Sequence, residues 1–176
     1  MSEKRRRIDI VLESGYVENL GGVGIDELRH RRDTAEDVEA QISYYRRLLQ
    51  GRMDLLDFEL RRRRGQEERS LIEALPDILA SGMILGSQPN LKHIETMPPL
   101  PSKTGRRLID KIMDDGVLTQ LPELTDEEIL EALDRLRQVE KELSNQRKQL
   151  HTVIDALQDE IVARYRSQQD EATVPN

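Results

Sequence analysis

The chain has 176 residues, of which 36% are hydrophobic, 35% are charged and only 3% are aromatic, with no Cys and a formal net charge of −7. So few aromatic side chains disfavour a sandwich, a barrel or a doubly wound sheet, and the composition favours long amphipathic helices. The absence of Cys excludes disulfides, iron–sulfur clusters and thiol catalysis. No apolar run reaches the roughly 18 residues of a transmembrane helix. We therefore expect a cytoplasmic helical protein without a membrane span.

The first 33 residues carry no sustained helical period, so we predict an irregular N-terminal arm over 1–33. Residues 8–12 resemble a short strand, and the glycines of 21–24 indicate a turn. We expect this arm to become ordered only against a partner.

The first long helix is predicted over 34–65. Asp33 and Thr34 are candidate N-caps. The four arginines of 61–64 stand just before Gly65, where positive charge complements the end of a helix. Apolar positions recur at spacings of three and four along this segment: Val38, Ile42, Tyr45, Leu49, Met53, Leu56 and Leu60.

A connector with short helices is predicted over 66–122. It contains a helix at 67–75 that ends or kinks at Pro76, a Pro-rich stretch over 82–104, a modest helix at 105–115 and a break at Pro122. Apolar residues of this region are candidate partner contacts, namely Met83, Ile84 and Leu85.

The second long helix is predicted over 123–168, followed by a disordered tail over 169–176. Thr125 and Glu128 have the spacing of a capping box at its start. A heptad-like apolar stripe follows: Ile129, Leu133, Leu136, Leu143, Leu150, Ile154, Leu157 and Ile161.

Both stripes are narrow, so each long helix needs a partner helix to bury it. We predict an all-α fold in which the two long helices form an antiparallel coiled-coil hairpin, with short connecting helices and the N-terminal arm. The alternative is that each helix pairs with another chain.

The two long helices carry the same polar pattern, offset by 101 residues. The first copy comprises Glu39, Ser43, Arg46, Gln50 and Asp54. The second copy comprises Glu140, Ser144, Arg147, His151 and Asp155. The flanking apolar positions repeat with the same offset, so the repeat covers a helix face.

At about 100° per residue, all five side chains of a copy lie within a sector about 80° wide. Two such rows at a helix–helix seam would line a slot with arginines, carboxylates and serines. Arginine donates to phosphate oxygens, and Asp accepts from the Watson–Crick edge of guanine. Without ligand, we expect these arginines and aspartates to lie close together and poorly satisfied. The duplicated set favours a symmetric guanine dinucleotide; the alternative is that the rows are solvated helix faces.

The pattern E-x3-S-x2-R-x3-Q-x3-D at 39–54 resembles the signature of the RsiG family, actinobacterial anti-sigma factors that require cyclic di-GMP. The second copy at 140–155 departs from it only at His151, where the family has Gln. The resemblance implies that the ten residues of both copies bind two cyclic di-GMP molecules per chain. It also implies that the loaded protein sequesters a WhiG-class sigma factor, which drives sporulation genes. Two motifs in one chain imply a monomer in a 1:1 complex.

Three alternatives stay open. The chain could be a coiled-coil scaffold whose rows bind nothing, a cyclic di-GMP receptor with another partner, or a helical hairpin that binds DNA through its arginine runs. We expect no direct DNA binding because the net charge is acidic. No nucleophile elbow, phosphate loop or zinc motif is present, so we expect neither an enzyme nor a metal protein.

Overall fold

The computed structural model describes residues 6–84 and 116–173. Every regular element in these two ranges is helical, in agreement with the predicted all-α fold class. Two 3-10 turns, Ser14–Tyr16 and Leu20–Gly22, lie between the first two helices. The helices are α1 (Arg7–Val11), α2 (Ile25–Arg63), α3 (Leu71–Ile84), α4 (Val117–Gln120) and α5 (Asp126–Thr173).

Helix α2 begins at Ile25, well before the start predicted at residue 34. The amide of Leu28 donates to the carbonyl of Gly24, and the Leu28 side chain is fully buried. Ala35 continues the buried stripe. The residues between these two apolar positions are mostly charged, so the sequence shows no helical period there. Thr34 lies inside the helix and is not its N-cap.

The N-terminal arm is ordered against α2, which corrects two predictions. Residues 7–11 form α1, and no strand is present in the described residues. Val11 is fully buried. The Tyr16 hydroxyl donates to the carbonyl of Arg31 at 3.0 Å, and the Arg31 guanidinium donates back to the carbonyl of Tyr16. Apolar burial and this reciprocal pair hold the arm without a partner protein.

Helix α3 runs through Pro76, so of the two predicted alternatives the continuation beyond residue 75 is correct; the helix begins at Leu71 and not at residue 67. Its start is fixed by a capping box that the sequence analysis did not identify. The Ser70 amide donates to the Glu73 carboxylate at 2.8 Å, and the Glu73 amide donates to the Ser70 hydroxyl at 3.3 Å. The predicted helix at 105–115 and nearly all of the Pro-rich stretch lie outside the described residues, as does Leu85; the side chains of Met83 and Ile84 do too.

The capping box predicted for the second long helix is confirmed. The Thr125 amide donates to the Glu128 carboxylate at 2.8 Å, and the Glu128 amide donates to Thr125 Oγ1 at 3.2 Å. Helix α5 continues to Thr173, so the predicted disordered tail is helical over most of its length. No Gly or Pro interrupts the sequence there before Pro175, which explains why the helix continues.

The chain divides into two compact units, and each contains a part of α2 antiparallel to a part of α5. Unit 1 comprises Met1–Ile42 and Asn145–Asn176, and unit 2 comprises Ser43–Ser144. The predicted helical hairpin is confirmed. The buried stripe in unit 1 includes Leu28, Ala35, Val38, Ile42, Leu150, Leu157 and Ile161. The buried stripe in unit 2 includes Leu49, Leu56, Phe58, Leu60, Ile129, Leu133, Leu136 and Leu143.

In unit 2, a buried carboxylate and an arginine join the end of α2 to the start of α5. Glu59 is 4% exposed and accepts from Arg63 Nε at 2.8 Å. The same guanidinium donates to the carbonyls of Leu121 and Leu124 at 2.8 and 2.7 Å, and to Asp126 at 3.0 Å. We call Glu59 and Arg63 the unit 2 end clamp.

Unit 1 contains an equivalent end clamp formed by Glu160 and Arg164. Arg164 Nε donates to Glu160 at 2.8 Å, and the guanidinium donates to the carbonyls of Leu20 and Val23. Each of these four residues stands 101 positions from its counterpart in unit 2. The internal repeat therefore extends well beyond the polar motif, to the turns that precede α2 and α5.

No helix within the described ranges combines the length and the apolar character needed to cross a bilayer.

Replacing Arg63 by Ala should lower the free energy of unfolding by about 2 kcal/mol, because Glu59 loses a charged donor and two carbonyls lose theirs. Urea unfolding followed by circular dichroism measures this. The control is Arg64→Ala, since Arg64 is exposed and should change stability by less than about 0.5 kcal/mol. If Arg63→Ala lowers the free energy of unfolding as little as Arg64→Ala does, the end clamp does not contribute to stability.

Candidate ligand site

The ten predicted site residues are distributed over both long helices and both units. Unit 1 holds one group: Glu39 on α2, and Arg147, His151 and Asp155 on α5. Unit 2 holds the other group: Ser43, Arg46, Gln50 and Asp54 on α2, and Glu140 and Ser144 on α5. Each unit therefore combines residues from both copies of the motif.

In unit 2, four motif residues meet at one carboxylate oxygen. Arg46 donates to Glu140 Oε1 through Nε at 3.1 Å and through Nη2 at 2.8 Å. The Ser144 hydroxyl lies 2.8 Å from the same oxygen, and Gln50 Nε2 lies 3.5 Å from it. The side chains of Arg46 and Glu140 are each 21% exposed, so solvent reaches this ion pair. We call these four residues the unit 2 cluster.

The surroundings of Glu140 have opposing effects on its pKa. Burial is the largest influence and raises the pKa, whereas the hydrogen bonds from Arg46 and Ser144, the charge of Arg46 and the Gln50 amide lower it. The donors prevail, and the pKa of Glu140 lies below its ordinary value. Glu140 is therefore a carboxylate at neutral pH and neutralises Arg46.

Unit 1 contains the equivalent arrangement with the helices exchanged. Arg147 Nε donates to Glu39 Oε1 at 2.7 Å, and His151 Nε2 lies 3.3 Å from the same oxygen. Glu39 is 19% exposed and Arg147 is 31% exposed. His151 lies on the surface, with 47% of its side chain exposed. We call these three residues the unit 1 cluster.

The two clusters share two contacts under the repeat of 101 residues. In each, the arginine of one motif pairs with the glutamate of the other, and the residue four positions after the arginine contacts the same oxygen. The expectation that the arginines are poorly satisfied without ligand is therefore wrong. A carboxylate of the opposite motif occupies the position at which a phosphate oxygen was expected.

The two aspartates of the motifs do not join these clusters. Burial raises the pKa of Asp54, the neighbouring charge of Asp57 raises it further, and Arg61 offsets part of this effect. Asp155 is exposed. Within residues 6–84 and 116–173, neither aspartate has a hydrogen bond or ion pair. A ligand with N–H donors would find two available acceptors here.

Two further cations lie outside the five-residue pattern. Arg47 and Lys148 follow the motif arginines directly, are separated by 101 residues, and are both exposed. On a helix, each lies beside the polar row of its motif. Extending the repeat beyond the motif would have identified both, as well as the end clamps. Within the described ranges, no group of three potential metal ligands is present.

Comparison with known protein families matches residues 14–79 and 115–176 to the RsiG-like family. The two ranges contain all ten motif residues. The chain belongs to the RsiG-like family. Membership suggests an anti-sigma factor role, with a sigma factor as the protein partner. A search of curated proteins finds no match.

Replacing Glu140 by Gln should destabilise the ligand-free protein most at neutral pH. Because the folded pKa of Glu140 lies below the ordinary value of 4.5, its stabilising effect is present above that pH and is lost as the pH falls through the folded pKa. The difference in free energy of unfolding between wild type and variant should therefore shrink between pH 7 and pH 3. Urea titrations at several pH values measure it, and a difference independent of pH would contradict the assigned ion pair.

Proposed function

We propose that this protein is an anti-sigma factor that binds two molecules of cyclic di-GMP through its two motif rows and, when loaded, sequesters a WhiG-class sigma factor. The observation that carries the proposal is the recurrence of one Arg–Glu cluster, built from both motifs, in both units. The cyclic di-GMP and the class of sigma factor come from the resemblance of the motif. The geometry supports them through the following steps.

The first step is the exchange of one anion for another at each arginine. Arg46 and Arg147 are partly exposed and already hold a carboxylate at 2.8 and 2.7 Å. A phosphodiester carries the same single negative charge as a carboxylate, and its two free oxygens can likewise accept from adjacent N–H groups of a guanidinium. Exchange at a partly exposed site requires side-chain rotation and no unfolding, so a phosphate can replace the carboxylate on the assembled protein.

The second step concerns the displaced glutamates. When a phosphate takes Arg46, Glu140 keeps the Ser144 hydroxyl and the Gln50 amide as donors. When a phosphate takes Arg147, Glu39 keeps His151. These donors reduce the free energy needed to release each carboxylate from its arginine. The polar residues that contact each glutamate therefore assist the exchange, and a lone Arg–Glu pair would resist it.

The third step is base recognition. Asp54 and Asp155 have no hydrogen-bond partner among the described residues, and a carboxylate can accept both N1–H and N2–H of guanine. Arg47 and Lys148 add positive charge beside the rows for a ligand with two phosphates. The duplicated acceptors and cations match a ligand that itself has two guanines and two phosphates.

The last step links ligand to partner. If the sigma factor binds the loaded hairpin more tightly than the free one, it must increase nucleotide affinity by the same factor. Isothermal titration with cyclic di-GMP, with and without a WhiG-class sigma factor and with GTP as a control ligand, tests this. We expect about two molecules bound per chain and tighter binding with the sigma factor. If the sigma factor does not change the affinity for cyclic di-GMP, the proposed partner is wrong. If cyclic di-GMP does not bind with or without the sigma factor, the alternative of a coiled-coil scaffold is favoured.

The double substitution Arg46→Ala and Arg147→Ala should reduce cyclic di-GMP affinity at least a hundredfold, because each arginine supplies a charge-assisted contact worth about 1.5–3 kcal/mol. Titration calorimetry measures the loss. The matched control is Arg135→Ala, which removes an exposed arginine from the opposite face of α5. A double variant that binds like wild type would disprove the assigned site.

Replacing Asp54 by Asn should raise the unfolding temperature of the free protein while lowering nucleotide affinity about tenfold. The folded pKa of Asp54 is raised, so ionising this carboxylate destabilises the fold as the pH rises through that value, and Asn removes the destabilisation. Asn also replaces an acceptor of two guanine N–H groups by an amide with one acceptor oxygen. Melting curves and calorimetry measure the two effects. Asp159→Asn on exposed α5 surface is the control, and parallel losses of stability and affinity would contradict a binding role.

A further inference from the structure

The two copies of the motif differ at one position, Gln50 in the first and His151 in the second. Gln50 Nε2 lies 3.5 Å from Glu140 Oε1 in unit 2, and His151 Nε2 lies 3.3 Å from Glu39 Oε1 in unit 1. Both side chains stand four residues after the motif arginine and contact the oxygen that the arginine contacts. The imidazole therefore occupies the place of the amide. It differs because histidine changes its charge between about pH 5 and pH 8, whereas an amide does not.

We propose that His151 makes nucleotide binding in unit 1 depend on pH, while Gln50 makes the equivalent contact in unit 2 indifferent to pH. The inference rests on the proposed function, because the anion concerned is the phosphate of cyclic di-GMP. Protonated His151 adds a positive charge at the site where that phosphate arrives. Neutral His151 has one N–H donor and adds no charge, and the Gln50 amide likewise adds no charge.

The charges around His151 explain the direction of the effect. Glu39 on α2 contacts it, and on α5 Arg147 and Asp155 stand one turn to either side, with Lys148 three residues before. On α2, Glu36 and Arg32 precede Glu39 on the same helix face and pair with each other at 3.6 Å. These three anions and three cations leave the surroundings of His151 without a net charge. A phosphate that engages Arg147 releases Glu39 and adds negative charge. Both changes favour the imidazolium form.

Nucleotide binding should therefore be coupled to proton uptake at His151. By linkage, affinity in unit 1 rises as the pH falls through the range in which histidine titrates. Ionised Asp54 acts in the opposite direction at more acidic pH, because guanine recognition needs its carboxylate. Asp54 is present in wild type and in the histidine and glutamine variants. A difference between these proteins at the same pH therefore comes from the histidine and not from Asp54.

The test is calorimetric titration of the full chain with cyclic di-GMP at pH 8.0 and pH 6.0. We expect wild type to bind roughly threefold to tenfold more tightly at the lower pH. His151→Gln should bind at both pH values with no such gain. Gln50→His should show a larger gain than wild type because both units then contain a histidine.

Proton uptake provides an independent readout. Titrations near pH 6.5 in buffers of different ionisation enthalpy should show that wild type takes up a fraction of a proton on binding, and that His151→Gln does not. Unfolding curves of each variant at both pH values show whether it is folded. The same pH dependence in wild type and His151→Gln, or none in wild type, would overturn this inference alone. Absence of binding at both pH values would instead overturn the proposed function.

Discussion

The antiparallel register of α2 and α5 depends on a charge pair between opposite motifs, Glu39 with Arg147 in unit 1 and Arg46 with Glu140 in unit 2. Apolar stripes alone tolerate a slip by one heptad, because leucine replaces leucine along the seam. The charges do not tolerate it. A slip in one direction would oppose the two motif glutamates, and a slip in the other would oppose the two motif arginines. The register that a symmetric ligand would need is thus set by the ligand-free protein.

The end clamps perform a related task in each unit. Arg63 and Arg164 each bind a glutamate of their own helix and two carbonyls of the turn that precedes the other long helix. A guanidinium has enough donors for all three acceptors at once, which an ammonium group cannot match in this planar geometry. The abundance of arginine over lysine therefore has a structural use at the clamps as well as a use in the clusters. Of the 27 basic residues, six are lysine, so 21 are arginine.

The sequence predicted the fold class, the capping box at Thr125 and the shared face of each motif, because hydrophobic period and helix geometry act locally. It did not predict which partner each arginine has. That choice depends on the antiparallel register, a property of two segments about a hundred residues apart, and only the structure shows Glu140 beside Arg46. The early start of α2 was missed for a similar reason, since Leu28 is buried by tertiary contacts that a charged local sequence conceals. The burial of Asp54 beside Asp57 is likewise invisible in the pattern.

The glutamates that pair with the motif arginines also compete with any anionic ligand. An intramolecular carboxylate is present at a high effective concentration, so a single phosphate that merely replaces it gains little net affinity. A ligand would gain when it makes several contacts at once, from phosphate to arginine and from base edge to aspartate. Two guanines and two phosphates held in one ring supply these contacts with little conformational entropy to lose. On the proposed function, the ion pairs of the free hairpin would therefore select against ligands with isolated phosphates.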